Sequence, residues 1–463
     1  MMFTLKDLKR LIIPLIIEQC LSVLIGMADT VMVSGFGDAA VSGVALVDTI
    51  NNLLTQLFAA IATGGAIVAS QYLGRKEDAN ARKAASQLII GCLLLSLSIM
   101  TFALVFREPL LHLIYGNVEE AVMTNSMKYF LFTAMSYPFL ALYNSGAALF
   151  RAQGNSKISM TNSIMMNIIN LVGNFFLINP QFAGLGVQGA AIATLGSRFI
   201  GSIVILVQLK NQSNRIFVES YLHLGFKPKL LKMILSIGIP TGIENSVFQL
   251  GKLLVQSIVS SLGTASISAN SMAMQIVGFA QIPSSAIGIA MIAIIGQCCG
   301  AKEYKQAKYY LRKLLFASYV AMWLLSIILI VDNTVGSRAF LSIYAGASQD
   351  ARDIGVVLIM CHSIFSLFVW PLSFTIPAGL RAANDAKFTM SVSMISMGVF
   401  RIGLSYILVK PELLGITLPF AIDPPILGVW IAMCVDWCFR GLCFLIRMIS
   451  GKWMDRELIT KID

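Results

Sequence analysis

The sequence predicts an all-α membrane protein: twelve transmembrane helices in two six-helix lobes related by a parallel internal repeat. Three observations predict it. Of the 463 residues 57% are hydrophobic and only 12% charged, and the mean hydropathy is +0.79, which belongs to polytopic membrane proteins rather than soluble domains. Apolar runs of roughly 20 residues recur along the chain, the length a helix rising 1.5 Å per residue needs to cross ~30 Å of hydrocarbon. The third observation is a repeat of sequence at a nearly constant offset.

Twelve runs are expected to span: 11–34, 47–73, 86–106, 126–150, 158–179, 187–209, 230–262, 272–299, 308–331, 354–379, 388–409 and 426–449. The first follows "KDLKR" and lacks the small-residue cleavage site of a signal peptide, so it is expected to stay. It carries Pro14, Glu18, Gln19 and Asp29. Between the second and third spans, "SQYLGRKEDANARKA" places Gly74 at a helix end on the cytoplasmic surface. Pro138 marks a kink in the fourth span, and the fifth presents Asn167, Asn170 and Asn174 on one face. Thr194 and Arg198 lie in the sixth.

The polar segment 210–229 joins the halves, dividing a lobe of residues 1–220 from one of 221–463. The seventh span then brings Pro240, Glu244 and a stripe of Asn245, Gln249, Lys252 and Gln256 at i, i+4, i+7 and i+11. The eighth holds Pro283 and ends at Gly300, and the ninth is almost wholly apolar. The tenth holds His362, Pro371 and Pro377, the eleventh Arg401 and the twelfth Arg440.

The repeat sets "IPLIIE" (13–18) over "IPTGIE" (239–244) at an offset of 226, pairing Glu18 with Glu244. The same offset pairs Gln71, Gly74 and Lys76 with Gln297, Gly300 and Lys302. "LFRAQGNSK" (149–157) falls on "GLRAANDAK" (379–387) at 230, and Arg198 on Arg440 at 242. Six spans per half is an even number, so both halves enter the membrane the same way and their symmetry axis runs along its normal.

The excess of 34 basic over 23 acidic residues could suggest nucleic acid, but its distribution excludes that partner. With both termini cytoplasmic, 25 of the 34 fall in cytoplasmic segments, five in the opposite loops and four within spans (Arg198, Lys252, Arg401, Arg440). That is the positive-inside pattern of a multi-pass protein in a lipid bilayer. The eight cysteines lie in or beside spans without CxxC pairs or companion histidines, so they read as small packing residues rather than disulfides or zinc ligands.

Several stretches carry a family resemblance: "MADTVMVSG", "GGAIVASQYLGRKEDANARKA", "GNSKI", "GLGVQGAAIAT", "GIPTGIENSVFQLGKLLVQSIVSSLGTASISA" and "RIGLSYIL". Together, at consistent spacing over essentially the whole chain, they resemble the multidrug and toxic compound extrusion (MATE) family. The resemblance implies a plasma-membrane exporter with a central V-shaped cavity, exchanging small organic, usually cationic, compounds for inward-moving H⁺ or Na⁺. It implies a first-helix coupling carboxylate, here Asp29, and a fifth-helix polar pair, here Asn170 and Asn174. Many relatives have Asp at the second of these, and some an acid in the tenth span. This sequence has Asn174 and His362 instead. A monomer with no cofactor beyond the coupling ion is expected.

Residue chemistry agrees. Glu18 and Asp29 are eleven residues apart, about three turns, so they share a face with Ser22 and Gly26 between them. A carboxylate at mid-bilayer costs at least ~3 kcal/mol, so that face belongs against other helices or water. With Asn170, Asn174 and Thr194, Asp29 could hold either a proton in a hydrogen-bonded network or a hard cation; Asp29, Asn170 and Asn174 are the metal ligands if the ion is Na⁺. Glu18, Glu244, Gln249 and Lys252 are candidate substrate-binding residues lining the cytoplasmic part of the cavity. The glutamates have an alternative, in which each pairs or caps near its helix's inner end.

The absence of a phosphate loop and of a Ser/His/Asp arrangement argues against an enzyme. A lipid-linked sugar or lipid flippase of the wider superfamily is the alternative function. It would call for an arginine-rich cavity, toward which Lys252 and Arg401 point.

Overall fold

The computed structural model describes residues 2–34, 38–116, 118–179, 181–219, 221, 225–344, 347–410 and 422–454; the side chains of 25–31, 33, 34 and 38 lie outside this description. Among the described residues the chain is all helical. It divides into two compact units. One is built chiefly from Met1–Gly242 and the segment Gly296–Lys302, the other from Ile243–Ile295 and Glu303–Leu458.

The first unit holds α1 (Leu5–Ser34), α2 (Asp38–Gly74), α3 (Asp78–Val105), α4 (Arg107–Tyr115), α5 (Glu120–Met135), α6 (Tyr137–Ala152), α7 (Ser156–Ile178) and α8 (Gly186–Leu209), with the first turns of α9 (Pro228–Ser260). α1 opens on a reciprocal cap: the Thr4 amide and hydroxyl donate to Asp7 Oδ2 at 2.8 and 2.7 Å, and the Asp7 amide donates to Thr4 Oγ1 at 3.3 Å. α5 and α6 are the fourth predicted span, broken at Ser136 one residue ahead of the Tyr137-Pro138 start of α6. Ala62, Ala66, Ala148 and Ala152 form a small-residue seam in the core.

The second unit continues α9 and adds α10 (Thr264–Gly300), α11 (Tyr304–Thr334), α12 (Ala339–Ser342), α13 (Gln349–Ser366), α14 (Trp370–Phe374), α15 (Ile376–Ala382), α16 (Ala386–Ser396), a π-helical stretch (Met397–Gly403), α17 (Leu404–Val409) and α18 (Ile426–Ser450). Trp430, Met433 and Trp437 of α18 sit in a core with Ile258 of α9, Met272 and Ile276 of α10, Met322 of α11 and Leu358 of α13.

Every predicted span falls on helix. Among the described residues, eight helices are long and apolar enough to cross a membrane, nine if α13 and the α14–α15 segment, bent by 71°, are one span. That bend falls where Pro371 opens α14, and Pro377 opens α15 within the second arm. Pro14, Pro240 and Pro283 sit inside continuous helices. Short α4 and α12, read as loop from sequence, are too brief to leave a periodic signal.

The backbone repeats its exceptions. Lys76 and Lys302 both take left-handed φ, 61° and 59°, just past the helix-ending Gly74 and Gly300, and Gly154 (84°) has its counterpart in Asn384 (66°). In the first unit, Gly74 and Gly300 also mark a reciprocal close approach. A Cβ on Gly74 would lie 2.0 Å from the Gln297 carbonyl oxygen, and one on Gly300 1.9 Å from that of Gln71. Only glycine fits either position.

The joining segment is packed on the first unit. Ile216, Phe217 and Val218 are buried, Arg215 pairs with Asp78 at 2.8 Å, and Gln87 bridges the Gly225 carbonyl (2.6 Å) and the Lys227 amide (2.8 Å).

Candidate functional site

Burial of charge in an apolar interior is tolerated only with partners, so the partners of each embedded polar group are the starting point. In the first unit α7 packs against both α1 and α8. Glu18 of α1 accepts a hydrogen bond from Ser159 Oγ at 2.9 Å, and Arg151 Nη1, in the last turn of α6, stands 3.7 Å from its other oxygen. Glu244 of α9 is held more fully. Arg381 Nη1 and Thr389 Oγ1 each donate to Oε2 at 3.1 Å, Ser393 Oγ donates to Oε1 at 2.8 Å, and Arg440 Nη2 lies 4.0 Å away. Arg381 and Thr389 follow Arg151 and Ser159 by the same 230 residues, so the two glutamates have matching partners. Both are buried, at 7% and 6% exposure.

On α7, Asn170 Nδ2 donates to Thr194 Oγ1 of α8 at 3.2 Å, and Asn174 Nδ2 to Asn170 Oδ1 at 3.4 Å. The structure thus brings together three of the four residues expected at the ion-coupling position, all offering hard oxygen donors. The fourth, Asp29, belongs to α1, and its side chain lies outside the described residues.

A second polar network in this unit went unread in the sequence. Asp48 of α2 accepts from Tyr129 (3.2 Å) and Asn51 (3.3 Å), and Asn51 accepts from Tyr137 at 2.9 Å. Arg198 donates to Ser136 Oγ at 2.7 Å, at the break between α5 and α6. Here a polar gap in one helix seats a guanidinium from another.

In the second unit, Gln249 is half-buried and Lys252 exposed on α9. The Lys252 ammonium stands 4.8 Å from the Phe248 ring centroid, within cation–π range, and the guanidinium carbons of Arg401 and Arg440 stand 5.2 and 5.8 Å from the same centroid. Arg401 lies in the π-helical stretch, and its Nη1 meets Asp436 Oδ2 at 3.4 Å; Ser396 Oγ donates to Asp436 Oδ1. Asp436 was missed too, although its place inside "IAMCVDWCFRGL" was signal enough: an acid within an apolar run is a site candidate by default. His362 is buried with its ring edge-on to Trp437, and its Nε2 is 2.9 Å from Gln281 Nε2.

The fold is shared with solved transporter structures. The chain superimposes on an outward-facing multidrug resistance MATE family transporter of the MOP superfamily with a TM-score of 0.84 at 18% identity, covering 96% of each chain. It matches equally well, at 0.84 and 19%, a MOP superfamily transporter from Pyrococcus furiosus described by the reverse polarity of its binding pocket, covering 98% of this chain and 97% of that one. Apolar helices enclosing paired charges on this frame are those of a multi-pass membrane transporter, not an enzyme. Residues 14–176 and again 240–407 match the MatE family, and the chain belongs to that family. It is 29% identical to the uncharacterized transporter YisQ of Bacillus subtilis (strain 168), over 96% of its own length and 94% of that protein's. To the probable multidrug resistance protein NorM of Thermotoga maritima it is 26% identical, over 98% and 94%.

Proposed function

We propose that the protein is a secondary active exporter that moves small organic compounds, cationic ones among them, out across the plasma membrane in exchange for inward-moving H⁺ or Na⁺. In this reading it works as a monomer with both termini cytoplasmic, crosses twelve times, and alternates access between two lobes, 1–220 and 221–463, related by a parallel repeat. Supporting the repeat are the two MatE matches, which begin at 14 and 240, the offset that pairs Glu18 with Glu244. The single observation that carries ion coupling is the cluster of buried Asn170 and Asn174 with half-buried Thr194, on α7 and α8, where α7 packs against the helix bearing Asp29. A carboxylate among these oxygens holds a proton or a hard cation, and exchange of that ion is the event that a gradient can drive. Glu18 and Glu244, with matching Arg and hydroxyl partners, anchor the inner ends of α1 and α9.

Dye efflux from cells expressing wild type or Asp29→Asn, with the proton gradient and Na⁺ varied separately, tests this. Wild type exports the dye under one gradient and Asp29→Asn under neither. Normal efflux by Asp29→Asn sinks the coupling assignment, and a flux that survives collapse of both gradients sinks antiport itself.

A further inference from the structure

The geometry points to an anion-binding subsite in the second unit, formed by Lys252, Arg401 and Arg440 around the Phe248 ring, which takes the carboxylate or sulfonate of an aromatic organic substrate. It rests on the export reading and adds anionic aromatic compounds to its substrate class.

Charge is the first argument. Lys252, Arg381, Arg401 and Arg440 share this region with two carboxylates, Glu244 and Asp436. Arg381 hydrogen-bonds to Glu244 at 3.1 Å and Arg401 to Asp436 at 3.4 Å. Arg440 comes only to 4.0 Å from Glu244, and Lys252 has no acidic partner among the described residues. Positive charge is therefore in surplus here, and for the buried Arg440 an incompletely met charge is costly. The second argument is unused hydrogen bonding. Arg440 is 4% exposed, yet its Nε and Nη1 donate to nothing, and only Nη2 reaches an acceptor, the Ser373 carbonyl at 3.4 Å. Arg401 Nε is likewise buried and unmet. Each of these unmet N–H groups is a charged donor without an acceptor, which an anion supplies.

The third argument concerns what lies beside the charges. Arg440 is 4.9 Å from the Phe374 ring, which with Phe248 lines the cluster with flat apolar faces, while exposed Lys252 leaves one side open to an incoming ligand. Cations beside aromatic rings, with donors still unmet, suit an anion attached to an aromatic body. The π-helical stretch at Met397–Gly403, a distortion that recurs at functional sites, sets Arg401 in the cluster.

A matched pair of 4-aminobenzamides tests the proposal: p-aminohippurate, an anion, and procainamide, a cation on the same aromatic body. Equilibrium binding is measured to the full-length protein in phosphatidylcholine nanodiscs. Wild type binds p-aminohippurate saturably. Lys252→Gln weakens it about tenfold, the scale of one charge-assisted hydrogen bond, does not weaken procainamide binding, and Lys252→Arg restores p-aminohippurate binding. Arg440→Gln does the same where its thermal unfolding matches wild type; Lys252, being exposed, keeps the test independent of that condition. Absence of p-aminohippurate binding by wild type, or equal binding by Lys252→Gln, overturns the subsite. So does loss of binding when phosphatidylglycerol replaces phosphatidylcholine, because the anion would then be a lipid headgroup. Dye efflux by wild type reports separately on export: efflux without p-aminohippurate binding refutes the subsite alone, and binding without flux of either compound refutes the export reading.

Discussion

Removing Arg381 reports how Glu244 survives inside the membrane. Glu244 accepts three hydrogen bonds, of which the 3.1 Å contact from Arg381 alone carries a full positive charge, with Arg440 second at 4.0 Å. Arg381→Gln leaves a carboxylate with 6% exposure facing two hydroxyls and the more distant cation. Stripping one partner from a buried ion pair costs about 3–5 kcal/mol. Arg440 offsets part of that, since unit charges ~4 Å apart attract by up to about 4 kcal/mol at an effective dielectric of ~20 before desolvation is counted. The expected loss is therefore at the low end, about 3 kcal/mol, and Glu244→Gln in the same background should recover about half by removing the stranded charge. The assay is denaturant unfolding of the full chain in mixed micelles for wild type, both single variants and the double variant. A coupling energy below ~0.5 kcal/mol, the level of independent sites, would refute the pairing. Glu18 and Arg151, 3.7 Å apart with the arginine 22% exposed, should couple by only about 1 kcal/mol.

Gly300→Ala should destabilise by about 3 kcal/mol in the same assay, because its Cβ would meet a backbone oxygen at 1.9 Å that no rotamer change can move. Gly154→Ala has open space and only a left-handed φ to overcome, so about 1 kcal/mol is expected; equal losses at the two sites would contradict the steric account. The Thr4 hydroxyl, and then its amide, hold the Asp7 carboxyl below its usual range. A depressed folded value stabilises the first turn of α1 above the unfolded pKa and is lost as pH falls through the folded one. Exchange of the Asp7 amide should thus gain from acidification in wild type and be pH-flat, beyond intrinsic exchange, in Asp7→Asn.

The helices were legible because hydrocarbon imposes a length and a composition, and every predicted span is helical. The two glutamates stood out because an acid in an apolar run is rare, and because Ile13-Pro14 and Ile239-Pro240 fix their register. Their partners were less visible. Arg151 and Arg381 were counted with the cytoplasmic bases, but an arginine in the last turn of a helix has a stem long enough to turn inward, and loop charge counts do not see that reach. Asp48 was passed over near the start of its span. Asp436 was passed over because its stabilising contacts, from Ser396 and Arg401, come from another helix across a π-helical stretch that leaves no mark in hydrophobic periodicity.

The reciprocal approach of Gly74 to Gln297 and of Gly300 to Gln71 obeys the rule of a two-fold interface, in which residue i meets j and j meets i. Such a contact is self-complementary: each motif supplies both a glycine and the carbonyl that the other's glycine meets. It also ties the two motifs together sterically. A larger residue at either glycine strikes the other's neighbourhood, so drift at one position is policed by its counterpart more than two hundred residues away.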